Sequence, residues 1–86
     1  MYMLDYELLA KARHHLKDVI EHQAPVLNSN LGLTAEMFSR AIVSQRRVVT
    51  FICDDREDVI EVYLDPSTGE MIDLIHTPEQ PKAKNG

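Results

Sequence analysis

The chain of 86 residues has no tryptophan, one cysteine, three glycines and no long apolar run. Each shortage removes a class of protein. A lone Cys53 excludes an intramolecular disulfide framework and a cysteine-rich zinc site, the usual staples of small domains. Gly32, Gly69 and Gly86 form neither a phosphate-binding loop nor a dinucleotide fingerprint, so nucleotide chemistry is disfavoured and no cofactor is expected. Asp5, Glu7, Lys11, Arg13, Lys17 and Asp18 interrupt the first twenty residues, which leaves no signal-peptide core and no membrane span. The expected setting is cytoplasmic, away from membranes. Nine basic against fourteen acidic side chains argue against direct nucleic-acid binding, because that needs cations to displace counterions from phosphate.

What is present is an ordinary globular balance, 44% hydrophobic and 27% charged, in a chain small enough to bury a limited core. Self-association is one way to make up that shortfall. The net charge of −5 conceals a division. Residues 1–47 carry six basic and five acidic groups (+1), residues 48–77 one and eight (−7), and residues 78–86 two and one (+1). The acidity is local.

Leu4, Leu8, Ala12, Leu16 and Val19 recur at three- and four-residue steps, with Leu9 and Ile20 beside them, predicting an amphipathic helix over 4–23 that Pro25 ends. A loop follows over 25–33. Thr34 is a good N-cap for a second helix, with Glu36 in its first turn and Leu33 and Phe38 placed for a hydrophobic staple. Met37, Phe38, Ala41 and Ile42 would form its buried stripe, and Arg46 and Arg47 its basic end. The period then changes to β-branched and aromatic runs at 48–53, 59–64 and 70–76, which predict three strands. The expected fold is α+β over 1–77: two N-terminal helices on one face of a three-stranded antiparallel meander. Residues 78–86, with no large apolar side chain, read as a flexible tail.

Asp65-Pro-Ser-Thr-Gly-Glu70 suits a four-residue hairpin loop built on a type I turn, with Gly69 left-handed. Counting outward from Asp65 opposite Glu70 pairs Leu64 with Met71, Val62 with Asp73 and Ile60 with Ile75 on the core face. Tyr63 then meets Ile72, Glu61 meets Leu74 and Val59 meets His76 on the outer face. This frame sets Asp73 on the core side, and a loop one residue shorter would set it opposite Glu61, so either way a carboxylate is expensively placed. The outer face is too apolar to be indifferent to water, and a covering partner is expected.

Several constellations carry possible chemistry. His14, Asp18 and His22 share one helical face at four-residue steps that would suit a divalent metal, yet that face is the solvent face, and a solvated surface is the favoured reading. His15 borders the apolar stripe as a packing residue. Glu61, Tyr63 and His76 form a conceivable acid–base set, since a carboxylate can orient an imidazole. The coarse helix–helix–sheet layout resembles small RelE-like ribonucleases, which implies catalysis from a sheet face by Glu61 and His76. The acidic run Asp54, Asp55, Glu57 and Asp58 around Arg56 lacks the glycine and ligand alternation of a calcium loop. It reads as a solvated turn, as an electronegative knob that steers a basic partner, or as a mimic of nucleic-acid phosphate. Cys53 is a small buried residue. The favoured expectation is a protein-interaction module, an inhibitor, adaptor or homodimer, whose contacts are Val59, Glu61, Tyr63, Ile72, Leu74 and His76, helped by the acidic loop.

Overall fold

The computed structural model describes residues 1–22, 32–45 and 47–78. Helix α1 (Asp5–His22) begins with a reciprocal cap: the Leu4 N–H donates to Glu7 Oε1 at 2.9 Å, and the N–H groups of Glu7 and Leu8 donate to the Leu4 carbonyl. Its buried stripe is Leu8, Ala12, Leu16 and Val19, the spacing expected of one helical face. Leu4, read as part of that stripe, stays exposed before the first turn. The expected loop over 25–33 lies outside the described residues up to position 31, and so does the tail beyond position 78.

The second helix does not form. Thr34 caps a single 3-10 turn, Ala35–Met37, and the chain then extends into strand β1 (Arg40–Ser44). A helix through this stretch would need its carbonyls for its own N–H groups. Here the Asp54 N–H takes the Met37 carbonyl at 2.8 Å, while Arg13 of α1 donates to the Phe38 and Ser39 carbonyls at 2.8 and 3.4 Å. The same guanidinium lies 5.1 Å from the centre of the Phe51 ring. Phe38, freed from the helix, drops fully into the core. Gln45 at φ 54° turns the chain, and β2 (Val48–Ile52), β3 (Val59–Leu64) and β4 (Met71–Thr77) follow. Among the described residues the fold is α+β, one helix on a four-stranded antiparallel meander in the order β1-β2-β3-β4.

The core joins the helical stripe and Phe38 to alternate residues of the sheet: Val49, Phe51 and Cys53 from β2 and its end, and Ile60, Val62 and Leu64 from β3. Each such aliphatic or aromatic side chain contributes about 1.5–3 kcal/mol on burial. Ala41 and Val43 of β1 and Met71 and Leu74 of β4 pack around this centre.

The β3–β4 hairpin starts as expected, with the Asp65 N–H donating to the Glu70 carbonyl and Leu64 opposite Met71. Asp65 Oδ1 organises the loop by accepting the Ser67 and Thr68 N–H groups and the Ser67 hydroxyl. Gly69 at φ 76° closes it beneath α1, where a Cβ would come within 2.9 Å of Lys11 Cγ. His15 packs onto the same loop and donates from Nε2 to the Gly69 carbonyl at 2.9 Å.

Beyond that first pair the expected register fails. A β-bulge between Tyr63 and Leu64 leaves Ile72 as an extra residue, after which Tyr63 faces Asp73, Val62 faces Leu74, Glu61 faces Ile75 and Ile60 faces His76. The one-residue slip exchanges the faces of β4. Asp73 moves to the outer side, where it is exposed, and Leu74 and His76 move to the core side.

Candidate interaction face and the carboxylate behind it

With α1 on one side of the sheet, the other side presents three cross-strand rows. Ser44, Val48, Tyr63 and Asp73 form the first, Ile42, Thr50, Glu61 and Ile75 the second, and Arg40, Ile52, Val59 and Thr77 the third. Six of these twelve side chains are large and apolar or aromatic. Ile42 is 54% exposed and Ile75 42%, although β-branched side chains at the middle of a strand normally find cover. Arg40 reaches along the face to donate to the Cys53 carbonyl at 3.1 Å. Glu61 stands in the middle row on β3, half-buried between Thr50 and Ile75, and no hydrogen bond or ion pair engages it among the described residues.

Of the residues expected on this face, Val59, Glu61 and Tyr63 are there. Ile72 is 65% exposed but sits at the bulge, out of the regular rows. Leu74 and His76 are not on the face, because the bulge turns both toward the core. Glu61 and His76 therefore lie on opposite sides of the sheet and form no acid–base set. Ile42, expected inside a helix, is instead among the most exposed apolar side chains of the outer face. The signal for β1 was present in the β-branched pair Ile42-Val43, followed by a short polar break and another β-branched run.

The acidic run divides in the fold. Asp54 and Asp55 are exposed at the β2–β3 loop, where Asp54 Oδ1 accepts the Ser39 hydroxyl at 2.6 Å and Asp55 Oδ1 lies 3.6 Å from Cys53 Sγ. Glu57 is exposed as well. Asp58 is the correction: it is fully buried, not part of a solvated knob. The Cys53 N–H donates to its carbonyl, which draws the residue into line with the core side of β3. One carboxylate oxygen accepts Arg56 Nε–H at 3.1 Å and the other lies 2.8 Å from His76 Nε2. An ionised carboxylate only accepts, so this geometry requires the proton on Nε2. With His76 itself 9% exposed and Arg56 25%, the three side chains tie the β2–β3 loop to the end of β4 from behind the open face. Every buried side-chain nitrogen and oxygen among the described residues has a partner.

On α1, His22 Nδ1 lies 3.1 Å from Asp18 Oδ1, and His14 does not join them. Among the described residues no three histidine, cysteine, aspartate or glutamate side chains converge as a metal site would require. No described helix is long and apolar enough to cross a membrane. No protein-family model, curated protein or solved structure matches the chain.

Proposed function

We propose that this chain is a protein-interaction module, of the inhibitor or adaptor kind, that docks a partner on the open face of its sheet. The observation that carries the reading is the one-sided cover. Among the described residues a single helix protects one side of four strands, and on the other Ile42, Val48, Ile52, Val59, Tyr63 and Ile75 make up half of the twelve outward side chains. Contiguous apolar surface of this kind marks a binding site on a soluble domain. The face is regular and backed by a packed core, so binding needs little reordering, which favours affinity. Asp54 and Asp55 lie at one end of it, where their field guides encounter.

The test uses the full chain as bait in four forms: wild type, Ile42→Asp, Ile75→Asp and the helix-surface variant Lys17→Glu. Proteins that bind through the face are retained by wild type and Lys17→Glu and lost from both aspartate variants, while circular dichroism shows all four folded. Equal capture by the aspartate variants would refute the reading.

A further inference from the structure

The open face distinguishes between its possible occupants. This inference rests on the docking reading above and names the chemistry of the partner. A second copy stacked face to face is related by a two-fold axis in the plane between the sheets, so residues near the centre of the face meet their own copies. Glu61 is such a residue. It is the middle outward side chain of β3, one of the two central strands, and lies about half a strand spacing, roughly 2.4 Å, from the centre of the face. Centred self-stacking would hold two Glu61 carboxylates together in a space emptied of water, where like charges repel most strongly.

No other described residue on the face offsets that cost. Arg40 is the one cation in the outward rows of the described residues; it lies on edge strand β1, two strands from Glu61, and is already engaged by the Cys53 carbonyl. Asp73 adds a second anion on the opposite edge strand. Each face is therefore net negative and is a poor complement to itself.

We propose that the occupant of the face is a different protein, presenting an apolar surface with a lysine or arginine that pairs with Glu61. Such a partner fills the apolar rows through Ile42, Tyr63 and Ile75 and supplies the half-buried carboxylate with a cation that none of the described residues provides. Further cations toward Asp54 and Asp55 strengthen the encounter. Glu61 then has two effects: it recruits a basic partner and it discourages self-stacking.

Two measurements on the full chain test this. In sedimentation, wild type is expected to remain a monomer to high micromolar concentration, and Glu61→Leu is expected to dimerise, because the substitution leaves the face apolar through its centre. In the second, a displayed library of random peptides is selected against wild type. Enriched peptides should carry lysine or arginine among apolar residues, lose at least about tenfold in affinity toward Glu61→Gln, and give way to acidic sequences when selection is repeated on Glu61→Lys. A wild-type dimer abolished by Ile75→Asp would overturn the inference and keep the face as a docking surface, with a second copy as its occupant. Peptides sensitive to Ile75→Asp but indifferent to Glu61→Gln would do the same. A library yielding nothing sensitive to Ile75→Asp, together with a monomeric Glu61→Leu, would overturn both the inference and the docking reading.

Discussion

Replacing Asp58 by alanine removes a carboxylate that is fully buried and that accepts from two cationic or polar donors. The loss is more than two hydrogen bonds, because Arg56 and His76 are left facing a void where an anion stood. Removing one partner of a buried ionic cluster costs about 3–5 kcal/mol. Arg56 is 25% exposed and can turn to water, which places this case near the lower end, at about 3 kcal/mol. A domain of 86 residues has about 4–13 kcal/mol in all, so the substitution consumes a quarter or more of it. Asp58→Asn is milder. Its carbonyl still accepts from Arg56, and its amide can donate to a neutral imidazole in the other tautomer, so the cost is that of the missing charge, about 1–2 kcal/mol. Urea unfolding followed by far-ultraviolet circular dichroism suits a chain without tryptophan. At about 1–3 kcal/mol per molar urea, Asp58→Ala should lower the midpoint by about 1–3 M and Asp58→Asn by about a third to two thirds as much. His76→Ala in the Asp58→Ala background should add much less than it does in wild type, since the two share one contact. A loss below about 0.5 kcal/mol for Asp58→Ala would place the carboxylate in water and refute the buried-cluster account.

Two further perturbations read other parts of the fold. The Ser67 backbone N–H, the Ser67 hydroxyl and the Thr68 N–H hold the Asp65 carboxyl below its ordinary value of 3.8. Its folded-state pKa is depressed, so its contribution is present above 3.8 and is lost as pH falls through the lower folded value; Asp65→Asn should flatten the acid limb of a stability–pH curve, and an unchanged slope below 3.8 would count against the turn geometry. Deleting Ile72 removes the bulged, 65% exposed residue and leaves every other pair of the hairpin in its present frame, whereas deleting Ile75 pushes His76 to the outer side. The first deletion should shift the urea midpoint little and the second should unfold the chain or nearly so; equal effects would refute the assigned register.

Helix α1 and the Asp65–Gly69 turn were legible because their causes are local: a four-step apolar stripe, a glutamate placed to cap, an aspartate and a glycine at the positions the loop demands. The stretch after Thr34 was not. Phe38, Ala41 and Ile42 fit a helical stripe and a strand equally well over so short a span, and what decides between them is Arg13, twenty-five residues upstream of Phe38, claiming its carbonyl. The fate of the acidic run was hidden for the same kind of reason. Five consecutive charged residues look alike in sequence, and only the pairing of β3 with β4 brings His76 to one of them. On the outer face, the β3 residues were placed correctly and two of the three β4 residues were not, since a bulge has no required residue type to announce it.

That bulge leaves the hairpin with two competing frames. Zipped straight from its turn, β4 would pair without slippage, sending Asp73 inward, Leu74 outward and His76 away from Asp58. Such an arrangement needs no bulge in its ladder, so what favours the native one is side-chain placement: the unslipped frame puts an aspartate in the core and leaves a buried Asp58 without the imidazole that now covers it. The Asp58–His76 contact thus works as a checksum on the frame of the last strand, formed only when the chain has skipped one residue. Weakening it would do more than lower stability. It would bring the misregistered hairpin, with its extra apolar residue on an already sticky face, closer in energy to the correct one.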